Sequence, residues 1–534
     1  MRFGTDVTTD LVLLGAGHAH VEVLRRFARR RDPGIRLTLV ALEPATPYSG
    51  RIPALIRGEC GPQDAQIDLG PLAAVAGARL AIGEATAIDL AAREVVVSGR
   101  SAIRFDLLSI DIGGSSTMPI GGGIAVKPLG GLLAALAQLE TYLTNEALPD
   151  GARIALVGAG AAGTELALAL AQRFAEHPRS TESGRLAGPV RITVVCDTQD
   201  PLAEAPPRAR SLGRAALAEA RVELVCGVRA GAQAEGRLAL SDGSFLEVDA
   251  VLWATDVVGP KLLAKSGLVC DEAGCVLVDA SLRSRGHAFV FAAGDCASIA
   301  GSPRPKAGVW AVRAGPVLAA NLRRAARGRQ PWSWRPQATA LAIVGLGHGR
   351  ALAWRNGIVV SGRWVARYKN WIDGRFMHRY SRAGLPQRVA PALQALKAEL
   401  AQVNLDPADL AVLSNPAVRG VAPSTRGADL VQQATHLPAL LDDPYSFGRI
   451  AAAHALVGLH AAGARPLTAV AIVIPPTASH DQARADVMTL LQGAAEVLAA
   501  DGASVVDCAT ATGSTAGLAL VLTGQRAPGQ AAAL

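Results

Sequence analysis

Residues 9–20 read TDLVLLGAGHAH, and residues 151–163 read GARIALVGAGAAG. In the first stretch an apolar strand, Asp10–Leu14, runs into a glycine-rich loop, Gly15-Ala16-Gly17-His18-Ala19-His20. A basic helical stretch, Val21–Arg31, follows, and a second strand, Leu37–Leu42, ends at Glu43. Strand, glycine loop, helix and strand in that order open a doubly wound α/β domain. The pattern restarts about 140 residues later with strand Arg153–Val157, loop Gly158-Ala159-Gly160-Ala161-Ala162-Gly163, an Ala/Leu helix to about Phe174, and strand Ile192–Val195. The chain therefore carries an internal repeat of a nucleotide-binding fold.

In such a loop the first two glycines let the backbone turn tightly and bring N–H groups against a pyrophosphate at the helix N-terminus. Gly15 and Gly17 fill these positions and His18 follows them. Glu43, at the end of the next strand, is placed to accept hydrogen bonds from a ribose. His20 stands where the pattern has its third glycine, which predicts weaker packing of helix on strand. The second loop is complete in Gly158, Gly160 and Gly163. Its acidic position falls on Cys196 or the adjacent Asp197, and with no Arg directly after them the reading leans to NADH over NADPH. A third element, Ala292-Ala293-Gly294-Asp295, closes the run FVFAAGD (289–295) and is read as opening a Gly/Ala helix. Asp295 there suits the hydroxyls of a flexible polyol, and the helix N-terminus faces developing negative charge. Two dinucleotide loops with this pair about 135 residues after the second form a specific constellation.

Composition bounds the rest. The chain has 534 residues, enough for three or four domains at roughly 150 residues each. Half of it is apolar and 18% is charged, outside the range of disordered chains. No apolar run is long enough to cross a bilayer, and the short N-terminal apolar run ends in glycines, so neither a membrane span nor a signal peptide is expected. The chain reads as cytoplasmic. Its seven cysteines form no regular framework, which indicates a reducing compartment and no metal site. Cys270 and Cys275 flank DEAG and read as a surface hairpin rather than a redox pair. The net charge of +8 is uneven: from Leu400 onward six Arg, no Lys and ten acids sum to −4, leaving +12 on the first 399 residues. Residues 341–382 hold eight Arg/Lys and a single acid, Asp373, but no motif for nucleic acid accompanies them. A boundary is expected near 385–405, with helices from Pro391 to Val403.

With these residues in place the chain resembles the FAD/NAD-linked reductases of the pyridine nucleotide-disulfide oxidoreductase superfamily, which include type II NADH dehydrogenases and sulfide:quinone reductases. LWATD (252–256) is similar to their second-strand ATG motif, with Asp256 replacing the glycine. GAGHAHVEVLRRF, TPYSGRIPALIRG, LSIDIGG, RPKAGVWAVRAGP and NWIDGRFM resemble the NADH dehydrogenase-like module fused ahead of selenophosphate synthetase (selenide, water dikinase). The resemblance implies two Rossmann-like domains, the NAD domain inserted in the FAD domain. Residues 1–118 and 256–340 would bind FAD, residues 119–255 NAD(P)H, and 341–385 form a basic extension of the reductase. Gly15, Gly17, His18, His20, Glu43, Gly294 and Asp295 are then the FAD residues, and Gly158, Gly160, Gly163 and Asp197 those for NAD(P)H. Glu165 matches a family position close to where nicotinamide meets flavin. Lys306, in RPKAG, is placed to stabilise the anionic ring of reduced flavin. Simpler roles stay open for both, an exposed acid at a helix N-terminus and a solvated lysine. Where disulfide reductases carry a cysteine pair this chain offers only Cys60. That argues against a disulfide relay and for direct hydride transfer from NAD(P)H to flavin, then to an acceptor.

Residues 400–534 resemble the N-terminal, ATP-binding half of selenophosphate synthetase, an α+β domain, best over DDPYSFGRIAAAHAL (442–456), GARPLTAVAIV (463–473) and GLALVLTG (517–524). Where that family has Gln-Thr-Val-Asp, this chain reads Gln433-Ala434-Thr435-His436. Asn-Ala-Leu-Ser-Asp becomes His454-Ala455-Leu456-Val457-Gly458, and Gly-Gly-His-Thr becomes Asp507-Cys508-Ala509-Thr510. Without carboxylates to hold Mg²⁺, phosphoryl transfer lacks its main charge neutraliser. The tail is expected to be degenerate and not a kinase. Because that family dimerises, a homodimer is left open.

Within 362–380, Trp364, Val365, Tyr368, Trp371, Ile372 and Phe376 fall at helical spacing on one side, with Arg363, Arg367, Lys369, Arg375 and Arg379 on or beside the other. Two readings stay open: a basic amphipathic helix lying on the inner face of the membrane, or a helix packed on the flavin domain. The leading expectation is an FAD-dependent oxidoreductase passing electrons from NAD(P)H to a quinone-like acceptor. The alternatives are a selenide, water dikinase-associated flavoprotein with an ATP-binding tail, and a non-catalytic flavin-binding scaffold.

Overall fold

The computed structural model describes residues 9–32, 34–98, 102–119, 122–145, 151–176, 189–381, 383–385, 429–439, 443–475, 480–511 and 516–526. Thr9–Leu14 forms β1, Ile35–Ala41 β2, Ala78–Ile82 β3 and Leu107–Ile110 β4, and all pair in parallel. Runs such as Leu11–Leu14 are buried on both faces, as a parallel sheet covered by helices requires. Helix α1, His18–Arg29, connects β1 to β2 and buries Val21, Leu24 and Phe27.

A second parallel sheet follows from β5 (Ile124–Ala125), β6 (Ala152–Val157), β7 (Val190–Cys196), β8 (Glu223–Cys226) and β9 (Ala250–Trp253), in the order β5-β9-β6-β7-β8. Helix α2 (Leu129–Asn145) precedes β6, and α3 (Ala161–Glu176) leads from β6 toward β7. The chain then returns to the first sheet with β10, Val290–Ala292, giving the order β10-β4-β1-β2-β3. The second α/β unit is thus inserted in the first.

One expectation is corrected here. Gly294–Cys296 opens no long helix: it is a single 3₁₀ turn followed by a short strand, Ala297–Ile299. Helix α4 begins only at Gly308 and runs to Ala326. Pro303 and Pro305 lie between and cannot donate helical hydrogen bonds, so the helix starts beyond them. α4 packs on α1 at Gly315, where a Cβ would lie 2.6 Å from the Glu22 Cβ and 3.0 Å from the Ala19 carbonyl oxygen.

An antiparallel sheet of β11 (Ala342–Gly347), β12 (Arg350–Arg355) and β13 (Ile358–Gly362) leads into α5, Arg363–His378. Just past α5, the Tyr380 hydroxyl donates to Glu22 Oε2 at 2.9 Å. Glu22, buried in α1, also receives both arms of Arg25 at 2.7 Å. The apolar positions of α5 do not share one face. Val365 and Phe376 are buried together with Asp373, whereas Trp364, Tyr368 and Trp371 are 58%, 44% and 56% exposed. The reason is the pair Lys369 and Asp373, one helical turn apart and bonded to each other at 3.1 Å. Both find partners in the protein, so this polar stripe turns inward and the aromatic stripe outward.

The C-terminal unit comprises β14 (Asp429–Pro438), α6 (Pro444–Ala461), β15 (Ala464–Ile474), α7 (His480–Ala500), β16 (Ser504–Thr510) and β17 (Gly517–Arg526). Its sheet order is β14-β17-β15-β16. α6 and α7 meet backbone to backbone: a Cβ at Gly448 would lie 2.0 Å from the Leu490 carbonyl oxygen, and one at Gly493 2.1 Å from that of Tyr445. Asp486 of α7 joins the unit to the first sheet through a bidentate pair with Arg79 of β3, both contacts at 2.6 Å. The helices expected over Pro391–Val403 fall outside the described residues.

Candidate active site

The first glycine loop is built around a residue that its own pattern does not contain. Gly15, at φ +92°, turns so closely under β4 that a Cβ would lie 2.4 Å from the Asp111 carbonyl oxygen. Gly17 caps α1. Asp111, just past β4 and 2% exposed, accepts hydrogen bonds through Oδ2 from the Ala19 N–H at 2.8 Å and the His20 N–H at 3.1 Å. A helix leaves its first N–H groups unpaired; here a side-chain carboxyl takes two of them. Burial pushes the Asp111 carboxyl up to about 7, although the two N–H groups pull the other way.

His20 is fully buried and does not loosen the packing, contrary to the expectation from the missing glycine. Its Nδ1 lies 2.6 Å from the Gly15 carbonyl oxygen and its Nε2 2.8 Å from the Ser109 hydroxyl. Burial holds the ring down at about 4, so it is neutral. A carbonyl only accepts, so Nδ1 carries the proton and Nε2 accepts from Ser109. His18 is half-buried between Tyr48 and Phe376, with ring centroids at 5.5 and 6.0 Å. Its Nε2 is shielded from solvent and has no hydrogen-bond partner among the described residues. Burial lowers it to about 4.

Asp295 lies beside this loop, paired with Lys127, whose Nζ donates to Oδ2 at 2.6 Å and to the Lys306 carbonyl oxygen at 3.1 Å. The Lys306 ammonium itself donates to the Ala297 carbonyl oxygen at 2.7 Å. The N-terminus of α4 comes close as well, with Gly308 next to His18 and Ser49. Glu43 is exposed beyond the end of β2, near Gly130 in the first turn of α2.

The second loop keeps the simple form. Gly158 has φ +106°, and a Cβ there would lie 2.4 Å from the Ala254 carbonyl oxygen. A Cβ at Gly163 would lie 2.0 Å from the Gly158 carbonyl oxygen, while one at Gly160 would meet nothing within 4 Å. Cys196 ends β7 buried, and Asp197 follows it exposed. The strand registers align the two units: Leu14 pairs with Ile110 as Val157 pairs with Trp253. Asp111 therefore stands where the second unit has Ala254, and His20 where it has Gly163.

A polar chain joins the two units through α5. Lys369 Nζ donates to the Gly50 carbonyl oxygen at 2.8 Å, bonds Asp373 Oδ2, and lies 3.6 Å from Glu165 Oε1. The Tyr48 hydroxyl donates to Asp373 Oδ1 at 2.9 Å, and the Tyr48 ring stacks on Phe376 at 4.2 Å. Glu165 is 9% exposed and accepts from the Gly345 N–H at 2.8 Å, so it is no solvated helix-end acid. Burial raises its carboxyl, with Lys369 pulling the other way. Lys369 is raised, because Glu165 and Asp373 together outweigh its burial. Asp111, Lys127, Lys369 and Asp373 were missed as site residues by sequence reasoning. Their partners lie up to 325 residues away, which no local pattern reports. Among the described residues no cluster of three or more His, Cys, Asp or Glu could hold a metal ion.

Two dinucleotide folds, one inserted in the other, with a glycine loop at the first strand of each and Asp295 beside the first loop, define a nicotinamide–flavin oxidoreductase. A family model described as pyridine nucleotide-disulphide oxidoreductase matches residues 9–315, and the chain belongs to that family. A second, the N-terminal domain of AIR synthase related proteins, matches residues 411–525. The chain is similar to an NADH dehydrogenase-like protein of Mycobacterium tuberculosis, 26% identical over 301 residues that cover 54% of this chain and 73% of that protein. Demethylphylloquinone reductase of Synechocystis is 28% identical, over 40% of this chain and 52% of its own length. A selenide, water dikinase of Geobacter metallireducens is 35% identical over 112 residues, 21% of this chain and 32% of that enzyme. Sulfide:quinone oxidoreductase of Aquifex aeolicus shares the fold, with a TM-score of 0.57 at 18% identity over 72% of this chain and 95% of that one. The chain is an FAD-dependent NAD(P)H oxidoreductase whose C-terminal region matches the N-terminal domain of AIR synthase related proteins. The site fits both cofactors: among the described residues, the first loop meets a shielded His18 Nε2 with no partner, and a Cβ at Gly160 in the second would meet nothing within 4 Å. Among the described residues no helix is long and apolar enough to cross a membrane.

Proposed function

We propose that this oxidoreductase passes electrons from NAD(P)H to a quinone-like acceptor that it meets at a membrane surface. The observation carrying this reading is the double character of α5. Its inner side brings Lys369, Asp373 and Phe376 against Tyr48, His18 and Glu165. Its outer side exposes Trp364, Tyr368 and Trp371, with Arg363, Arg367 and Arg375 also exposed. Tyr368 stacks on Trp371 at 5.9 Å, and the Arg375 guanidinium lies 5.4 Å from the Trp371 ring centre. Trp and Tyr rings flanked by arginines suit the interface of an anionic bilayer. The resemblance of one relative, itself a demethylphylloquinone reductase, supports the same acceptor class.

In this reading Gly15, Gly17, His18, His20, Glu43, Gly294 and Asp295 hold FAD, and Gly158, Gly160, Gly163 and Asp197 hold NAD(P)H. A flavin held there would supply two-electron chemistry between nicotinamide and the acceptor. Lys127 neutralises Asp295, the carboxylate that would hold the polyol hydroxyls. Glu165, with Lys369 beside it, lies at the seam of the two units and orients the nicotinamide side, and the His18, Tyr48 and Phe376 rings exclude water. Lys306 is the second cation near the flavin loop. The test is anaerobic addition of NADH or NADPH to flavin-loaded protein, then of a short-chain quinone, with and without anionic vesicles. Bleaching by a nicotinamide and reoxidation by quinone are expected, with vesicle binding lost in Trp364→Ser/Trp371→Ser. Flavin that stays oxidised under excess of both nucleotides would instead mark a scaffold.

A further inference from the structure

Asp111 raises a question that the fold alone does not answer. Its carboxyl lies at the N-terminus of α1, where a dinucleotide-binding loop directs N–H groups at a pyrophosphate. Oδ2 holds the Ala19 and His20 N–H groups. Oδ1 lies against both glycines of the cradle: a Cβ on Gly17 or on Gly294 would come within 2.2 Å of it. A carboxylate and a pyrophosphate would thus compete for one helix end as like charges. The second unit, with Ala254 at the same register, carries no such acid.

Among the described residues, the charged and titratable groups around Asp111 offer no neutralising partner. From α1 come His20 and His18, both held neutral by burial, at about 4. From the turn after β10 come Asp295, a further negative charge, and Cys296, whose thiol burial pushes up. Lys127 is paired with Asp295. Ser109, one strand repeat before Asp111, is engaged with His20.

We propose that Asp111 carries a proton whenever FAD is bound, so that this single buried carboxyl couples flavin binding to uptake of one proton. The proposal rests on the flavin reading of the first loop. Protonated, Asp111 keeps one oxygen for the helix N–H groups and gains an O–H donor for a phosphate oxygen. Ionised, it repels the same group. Free Asp111, raised to about 7 by burial, is poised between the two states near neutral pH. FAD affinity is therefore flat in mild acid and weakens about tenfold per pH unit above that midpoint.

The test is calorimetry of FAD binding to full-length apoprotein in two buffers of different ionisation enthalpy, with flavin fluorescence giving the affinity from about pH 6 to about pH 8.5. Close to one proton should be taken up at the alkaline end and fewer as the pH falls. Asp111→Asn keeps an acceptor oxygen and an N–H donor without the charge. It should take up none, show no pH slope, and bind FAD about 30-fold tighter than the natural protein near pH 8.5. Absence of proton uptake by the natural protein, or an unchanged slope in Asp111→Asn, overturns the proposal. Should that variant not fold, the proton count of the natural protein decides alone. Failure of FAD to bind at any pH would overturn the flavin reading and the coupling together.

Discussion

Restoring the third glycine of the first loop by His20→Gly tests whether the departure from the pattern is a defect or a fixture. Its imidazole is fully buried and makes two hydrogen bonds, to the Gly15 carbonyl and the Ser109 hydroxyl. Each such bond contributes about 1 kcal/mol, and both protein partners would be left unpaired. The vacated ring volume adds about 1–2 kcal/mol, and glycine in the first helical turn up to about 1 kcal/mol. The expected loss is about 4 kcal/mol, or roughly 8–16 °C in the melting of the first α/β unit. A pH series sharpens the test. The ring sits at about 4 in the folded protein against an ordinary 6.5, so the unfolded chain protonates first. Stability from this group is complete above pH 6.5 and declines as the pH falls toward 4, by about 3 kcal/mol. His18 declines in the same window but is present in both proteins. Urea unfolding from pH 7 to pH 4.5, followed by flavin release, should show the variant starting lower and falling less steeply, so that the two curves approach each other. A variant as stable as the natural protein at pH 7, or a parallel pair of curves, would refute the reasoning.

Three further perturbations read other parts of the molecule. Gly163→Ala places a Cβ 2.0 Å from the Gly158 carbonyl oxygen; steady-state kinetics should show KM for the nicotinamide raised about tenfold or more with flavin content unchanged. Lys369→Met leaves Glu165 and Asp373 buried without their cation, so thermal melting should fall by the equivalent of about 3 kcal/mol, and the pH profile of flavin reduction by NADH should move as the Glu165 carboxyl rises. Asp486→Ala removes the bidentate pair with Arg79 and the 3.6 Å contact with Arg36, which keeps its pair with Asp10; calorimetry should then resolve the C-terminal unit melting ahead of the reductase, and a single unchanged transition would show that these contacts do not couple the two.

Both glycine loops were legible in the sequence because glycine is the residue that reaches φ near +90° without strain, as Gly15 and Gly158 do. The buried strands were legible too, since Leu11–Leu14 and Ile154–Val157 are apolar runs short enough for a parallel sheet and bounded by those glycines. The tail showed its likeness through local stretches such as DDPYSFGRIAAAHAL (442–456) and GLALVLTG (517–524). These are local properties, carried by neighbours along the chain.

What only the tertiary structure decided are the pairings that the chain makes across hundreds of residues. His20 reads as a lost glycine until Ser109, 89 positions away, is placed against its ring. Asp111 reads as one letter of an apolar strand end until α1 brings its open N–H groups onto the carboxyl. The periodicity of 363–378 is helical whichever face turns inward. Tyr48, Gly50 and Glu165 decided that, because a buried lysine and aspartate with partners are stable inside while three aromatic rings can remain at the surface. Spacing sets the shape of a helix; which charges find counter-charges when the sheets assemble sets what that helix does.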